Sequence, residues 1–251
     1  MPICTTGAGS VGAFVPTAPA GAAFAVAVHP TLCRSDAGNT TPCNPGDAIQ
    51  WWYEFISATW YQQATSGSRF IMRQDATSKK YYAEAGPSRT HRFGWTPNQN
   101  ANGNTFTYGA SVTNIASTYG AFFGVGTSSN GYKFGCGNAD FTANGTNLVN
   151  LTDGAAWYVQ GADGGGGRYM YESSTNATNV VMSSYVNGTG LLLSQSISLG
   201  IAPTVPVSIG YDASLVARTL QSGNIWGICG YTSISSGNRT TVDNWLKVVA
   251  P

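Results

Sequence analysis

Charge is the scarcest property of this chain. Only 9% of its 251 residues are Asp, Glu, Lys or Arg, against about 25% in an average soluble domain. The formal net charge is +1, so no strong field steers it to nucleic acid or to an anionic membrane. Long apolar runs are missing as well; none nears the roughly 18 residues that span a bilayer. Met1 to Val28 contains no Lys or Arg. A secretory signal has a basic start before its apolar core, so none is read here. Cysteine is sparse and odd in number, at five, which argues against a full disulfide framework. The two histidines, His29 and His91, are isolated, and no cysteine pair has the close spacing of a zinc site.

Polarity comes instead from Ser, Thr, Asn, Gln and 32 glycines, while 42% of residues are hydrophobic. That is enough apolar material for a sizeable core, so disorder is excluded. Short β-prone runs alternate with Gly, Asn, Ser and Pro along most of the chain. They are read at Ala23–His29, Ala48–Phe55, Thr59–Gln63, Phe70–Arg73, Lys80–Glu84, Phe106–Val112, Gly120–Val125, Tyr132–Cys136 and Leu148–Leu151. They continue at Ala156–Gln160, Arg168–Glu172, Asn179–Tyr185, Leu191–Ile197, Val207–Ile209 and Asn224–Tyr231. So many short strands with regular turns predict an all-β sandwich or jelly roll. No linker divides the chain, and residues 1–22, rich in small residues with Pro2, Pro16 and Pro19, read as a flexible N-terminal arm.

The one convincing helix is at the end. Ser235 or Ser236 is placed to cap it, accepting from the orphan amides of the first turn. Val242, Trp245, Leu246 and Val249 recur at i, i+3, i+4 and i+7, forming one apolar stripe that must lie on a larger body.

Two segments resemble the concanavalin A-like lectin/glucanase superfamily in its laminin-G-like form. The first, Leu32 to Trp52, runs Leu-Cys-Arg-Ser-Asp-Ala-Gly-Asn-Thr-Thr-Pro-Cys-Asn-Pro-Gly-Asp-Ala-Ile-Gln-Trp-Trp and is similar to the opening of such domains in bacterial and bacteriophage proteins. Gln62-Gln63-Ala64-Thr65 and Ser68-Arg69-Phe70 come next at matching places, with Phe70 where proline is usual; Tyr81-Tyr82-Ala83-Glu84 resembles the next strand. The second comprises Ser208-Ile209-Gly210, Gly223-Asn224-Ile225 and the terminal helix with Ile234, Arg239, Val242, Trp245 and Leu246. Asn187-Gly188-Thr189 matches a hairpin turn common in these domains. The resemblance implies a concanavalin A-like jelly-roll β-sandwich over residues 23–251, closed by one short C-terminal helix.

Its leaning is towards bacteriophage virion structural proteins. The expectation is therefore a non-enzymatic structural or adhesion protein: capsid decoration, fibre or tail-associated, multi-copy or homo-oligomeric. It would be assembled in the host cytoplasm, with the arm contacting other virion proteins. The alternative is a carbohydrate-binding, lectin-like surface domain that engages host surface glycans. A glycoside hydrolase ranks third. The glucanase branch carries Glu-x-Asp-x-x-Glu on one strand, whereas the three glutamates here, Glu54, Glu84 and Glu172, are far apart.

Trp95, Tyr108, Tyr119, Trp157, Tyr169 and Tyr171 are the aromatics available for a sugar platform, against core or cross-strand packing. Calcium, frequent in lectin-like relatives, would draw on Asp36, Asp47, Asp140 or Asp153, against a role in capping turns. Otherwise no cofactor is expected. Cys33 and Cys43 bracket a turn-rich loop and are candidates for a disulfide in an oxidising compartment; Cys4, Cys136 and Cys229 read as small buried hydrophobes. Gly7-Ala-Gly-Ser-Val-Gly12 fits a dinucleotide-binding string, but no hydrophobic strand precedes it and Pro16 interrupts the stretch where a helix would have to start. Gly164–Gly167 reads as a loop for the same want of a helix, and six Asn-x-Ser/Thr sequons reflect Asn/Thr richness.

Overall fold

The computed structural model describes residues 14–85 and 223–251 continuously. Between them it describes 93–95, 106–113, 120–125, 133–138, 147–152, 157–160, 167–176, 179–187, 189–198 and 207–209. The strands are β1 (Phe24–Ala27), β2 (Cys33–Arg34), β3 (Trp51–Glu54), β4 (Thr59–Gln62), β5 (Ile71–Gln74) and β6 (Tyr81–Ala85). Next come β7 (Phe93–Trp95), β8 (Phe106–Thr113), β9 (Gly120–Val125), β10 (Lys133–Asn138), β11 (Asn147–Thr152) and β12 (Trp157–Gln160). The last are β13 (Gly167–Asn176), β14 (Asn179–Val186), β15 (Thr189–Ser198), β16 (Val207–Ile209) and β17 (Gly223–Tyr231), followed by α1 (Ser236–Val249).

An eight-stranded sheet runs β15-β14-β13-β8-β17-β6-β5, with β1 also on β17; a six-stranded sheet runs β12-β11-β10-β9-β16-β7; a three-stranded sheet runs β2-β3-β4. The described pairs are antiparallel. The chain is thus the expected all-β sandwich with one C-terminal helix. Two short strands are invisible in the sequence pattern. β2 has two residues and β7 has three with glycine at its centre, too few to show a period.

The strands β1 and β17 of the large sheet are buried on both faces. One face meets α1. There Ala25 and Ala27 pair with Cys229 and Gly227 and pack with Val242, Trp245, Leu246 and Val249. Small residues let the helix settle close. A Cβ on Gly227 would stand 3.0 Å from the Trp245 ring and 3.1 Å from Val249. The alternate residues Phe24, Val26, Ile225 and Ile228 point the other way and are fully shielded from water. Trp52 meets Phe93 of the six-stranded sheet edge-on, at 5.5 Å between centroids.

Ser235 is the cap of α1, accepting from the Asn238 amide at 2.9 Å. Two ion pairs set the helix on β13: Arg239 to Glu172 at 3.3 Å and Arg168 to Asp243 at 2.7 Å. Each of the four apolar helix residues contributes roughly 1.5–3 kcal/mol by burial, more than partly exposed ion pairs do. The seam therefore holds the helix and the charges fix its position along it.

The segment expected as a free arm is described from residue 14. Phe14 and Val15 are exposed, but from Thr17 the chain lies on its own body. Trp245 Nε1 donates to the Thr17 carbonyl at 2.7 Å and the Tyr231 hydroxyl to the Ala20 carbonyl at 3.0 Å. What these residues touch is the terminal helix and last strand of the same chain.

Candidate functional site

The three-stranded sheet presents the most distinctive described surface. Along β3 burial alternates: Trp52 and Glu54 are buried, Trp51 and Tyr53 half-buried. Register puts Arg34 opposite Trp51, Trp51 opposite Gln62, and Tyr53 opposite Trp60. Side chains alternate faces along a strand, so Arg34, Trp51, Tyr53, Trp60 and Gln62 share the outer face. The Arg34 guanidinium carbon stands 4.3 Å from the Trp60 ring centroid. Tyr53 lies 5.1 Å from Trp60 and 6.0 Å from Phe55. Trp51 Nε1 donates to the Asp36 carbonyl at 3.0 Å, which locks that ring to the adjoining loop.

The shelf is anchored from beneath. Trp52 Nε1 donates to the Ala27 carbonyl at 2.8 Å. Glu54, 1% exposed, accepts from the amides of Ala25, Ile56 and Ser57 at 2.9, 3.0 and 2.6 Å. Rigid aromatic side chains with an amide and a guanidinium at their rim suit a ligand with an apolar C–H face and polar edges.

The six aromatics singled out from sequence are not gathered into one place. Trp95 is on β7 and Trp157 on β12, at opposite edges of the six-stranded sheet. Five strand spacings, about 24 Å, separate those edges. Tyr108 and Tyr171 are direct cross-strand partners, and Tyr169 faces Ala110. These three tyrosines lie on β8 and β13 of the large sheet, apart from Trp95 and Trp157. Tyr119 lies outside the described residues. Sequence reasoning passes over Trp51, Tyr53 and Trp60. The signal that would find them is the alternation of aromatics at 51, 53 and 55.

The described carboxylates are engaged. Glu172 accepts from Thr107 Oγ1 at 3.1 Å and from the Tyr185 hydroxyl at 3.0 Å, besides its contact with Arg239. Arg239 also donates to the Tyr185 hydroxyl at 3.0 Å. Its Nε is near Glu172 in distance yet makes no hydrogen bond; the ion pair is a charge contact, with Tyr185 bridging the two groups. Glu84 pairs with Arg73 at 2.7 Å, and Asp243 with Lys247 at 2.6 Å as well as with Arg168.

Of the candidate calcium aspartates, Asp140 and Asp153 lie outside the described residues. Asp47 accepts from the Asn44 amide at 2.8 Å. Asp36 accepts from the amides of Gly38, Thr40 and Thr41 and from Thr40 Oγ1, between 2.7 and 3.2 Å. Both carboxylates thus serve their own turns. Among the described residues no group of three or more His, Cys, Asp or Glu is placed to hold a metal ion.

The Thr41 amide is the main cause that lowers the Asp36 pKa to about 2, from 3.8. The folded value lies below the unfolded one, so the loop's stabilisation is complete above 3.8 and is lost as pH falls through about 2. The Thr40 and Thr41 amide resonances are expected to titrate near pH 2. A midpoint at the free-aspartate value would contradict this.

Cys33 and Cys43, the candidate pair for a disulfide in an oxidising compartment, are both buried free thiols here. They are neighbours, with the Cys43 amide donating to the Cys33 carbonyl at 3.1 Å. Burial raises both thiols, Cys43 to about 12. A protonated thiol is a poor nucleophile and packs as a small apolar group.

No family model and no curated sequence matches this chain. Solved structures do share its fold. The Trypanosoma rangeli sialidase, in a covalent-intermediate complex with 2,3-difluorosialic acid, aligns with a TM-score of 0.52 and 15% identity, over 92% of this chain and 34% of the sialidase. A GH54 α-L-arabinofuranosidase soaked with a cyclic sulfate inhibitor aligns with a TM-score of 0.58 and 9% identity, over 90% of this chain and 61% of the enzyme. The chain thus spans about a third of the one and three fifths of the other. At these identities the shared property is the β-sandwich itself.

The comparison overturns the first functional expectation. A non-enzymatic virion structural or adhesion protein is expected from the sequence, yet these two structures are a sialidase and an arabinofuranosidase.

Proposed function

We propose that this chain is a carbohydrate-recognising β-sandwich of a glycan-active protein, with the outer face of the three-stranded sheet as its binding surface. The observation that carries the reading is the half-buried shelf of Trp51, Tyr53 and Trp60 with Gln62 and Arg34 on one rigid face. Sugar rings present C–H faces that stack on aromatic rings and hydroxyls that pair with amides and guanidinium groups. The company of glycosidases in this fold supports the same class of ligand.

A glycan array at high protein density tests it. Trp60→Ala is expected to weaken binding to the best-retained glycan by about tenfold or more, the scale of one lost aromatic contact. Its melting temperature should shift by only a few degrees. An array without signal above background would remove the reading.

Glycoside hydrolysis is the second reading, favoured by the alignment with the arabinofuranosidase. It needs two carboxyl groups about 5–10 Å apart in an open groove. The described carboxylates are committed to amides, hydroxyls and cations, so the pair would involve residues outside the described set. Absence of turnover on arabinofuranosyl and sialyl substrates would leave binding alone.

A further inference from the structure

Arg34 is the charged group of the aromatic shelf, and its bonding is one-sided. Nη1 faces the carbonyls of Pro30, Thr31 and Cys33 at 3.3, 3.1 and 3.0 Å. These are the carbonyls of the short helical turn Pro30–Leu32 and of β2 itself. They hold the guanidinium at a fixed angle over Trp60, 4.3 Å from its centroid. Among the described residues the Nε and Nη2 edge has no hydrogen-bond partner, and no carboxylate pairs with Arg34.

The open edge has a definite chemistry. A guanidinium offers two parallel N–H donors that match the two oxygens of a carboxylate. Stacking on an aromatic ring orients the fork without consuming those donors. The three carbonyls add preorganisation, because the side chain is already ordered before a ligand arrives. A neutral hydroxyl takes one donor, from an amide such as that of Gln62 or from a guanidinium, whereas a carboxylate takes both donors of the fork at once.

We infer that the shelf selects carboxylated sugars, uronic or nonulosonic acids, with Arg34 receiving the carboxylate through its Nε and Nη2 edge and the aromatic face carrying the sugar ring. This rests on the glycan-binding role proposed for the same surface. Arg34 is the specificity-determining residue, while Trp60 and Tyr53 supply stacking to any sugar.

The test compares each acid with a neutral counterpart: a methyl ester that masks the carboxylates while keeping every ring, and a disaccharide that lacks the acidic sugar. Trigalacturonic acid is set against its methyl ester, and 3′-sialyllactose against lactose, by isothermal calorimetry on the full chain. At least one acid is expected to bind about tenfold or more tightly than its neutral partner, and the preference should shrink as salt is raised. Arg34→Gln should remove the preference, so that acid and neutral forms bind this variant within about twofold of each other. Arg34→Lys keeps the charge but loses the fork, and should retain only a small part of the preference. Thermal melts of both variants confirm that they fold, and the acid–ester comparison on the parent protein stands without any variant. Equal binding of acid and neutral forms would overturn the inference while leaving glycan binding intact. An acid preference that survives Arg34→Gln unchanged would overturn the assignment to Arg34. Binding of none of the four ligands and no array signal would overturn this inference and the proposed function together.

Discussion

Glu54→Ala is expected to destabilise the protein by about 3 kcal/mol, and to loosen the aromatic shelf with it. The buried carboxylate is the shared acceptor for the amides of Ala25, Ile56 and Ser57. Those of Ile56 and Ser57 lie near the hairpin tip and would turn to water. That of Ala25 is fully buried, on a strand between α1 and the sandwich interior. Leaving such a donor unsatisfied costs about 1–3 kcal/mol, and losing the charged acceptor of three bonds adds to that. Glu54→Gln keeps one oxygen and should cost roughly half as much. Urea unfolding measures the stability, and the indole N–H resonance of Trp60 reports on the shelf. A Glu54→Ala variant within about 0.5 kcal/mol of the parent would mean that the Ala25 amide is served by another group. This link joins fold to function: the residue that ties the hairpin to β1 keeps Tyr53 and Trp60 in register.

Trp245→Ala should cost about 3–5 kcal/mol, the usual range for a large buried aromatic. The indole fills the space above Gly227, where a Cβ would come within 3.0 Å of its ring. With both residues small, a cavity opens at the centre of the helix–sheet seam. The same substitution removes the donor that holds the Thr17 carbonyl. Limited proteolysis should therefore cut near residues 14–20 in the variant sooner than in the parent. Global destabilisation without faster N-terminal cleavage would show that the Tyr231–Ala20 bond secures that segment by itself. A gentler control is Tyr231→Phe, which deletes one hydrogen bond and should cost about 1 kcal/mol.

The terminal helix is legible because its information is local. Four apolar residues at helical spacing and a capping serine suffice, and the structure places the cap at Ser235 and buries all four residues. Strands with clear boundaries are legible too: Val207–Ile209 is found as read, and Asn224–Tyr231 gains one residue. β13, expected to end at Glu172, continues to Asn176. Ser173, Ser174 and Thr175 carry little apolar signal, yet pairing with β14 on one side holds them extended. Local composition sees the side chains, whereas the ladder satisfies the backbone.

The site is less legible. Alternation along β3 separates Trp52 and Glu54 from Trp51 and Tyr53, but a period of two does not say which set faces water. A carboxylate next to aromatics would be assigned to solvent by its charge. Here the reverse holds, because the Ala25, Ile56 and Ser57 amides supply the bonds that burial demands. Cys33 and Cys43 are brought together from the two ends of the loop, as their bracketing of it suggests, and burial raises both thiols.

The sequence by itself determined an all-β chain, its one capped amphipathic helix, the turn-rich loop over Ser35–Gly46 and the absence of any strong charge. Those properties come from composition and from contacts within a few residues. Only the tertiary structure decided that Arg34 stacks on Trp60, that Glu54 is buried beneath them, and that the segment from Thr17 binds the far end of the chain. Each joins residues from different strands or opposite ends of the sequence, and strand pairing and helix docking choose such partners where no local pattern records them.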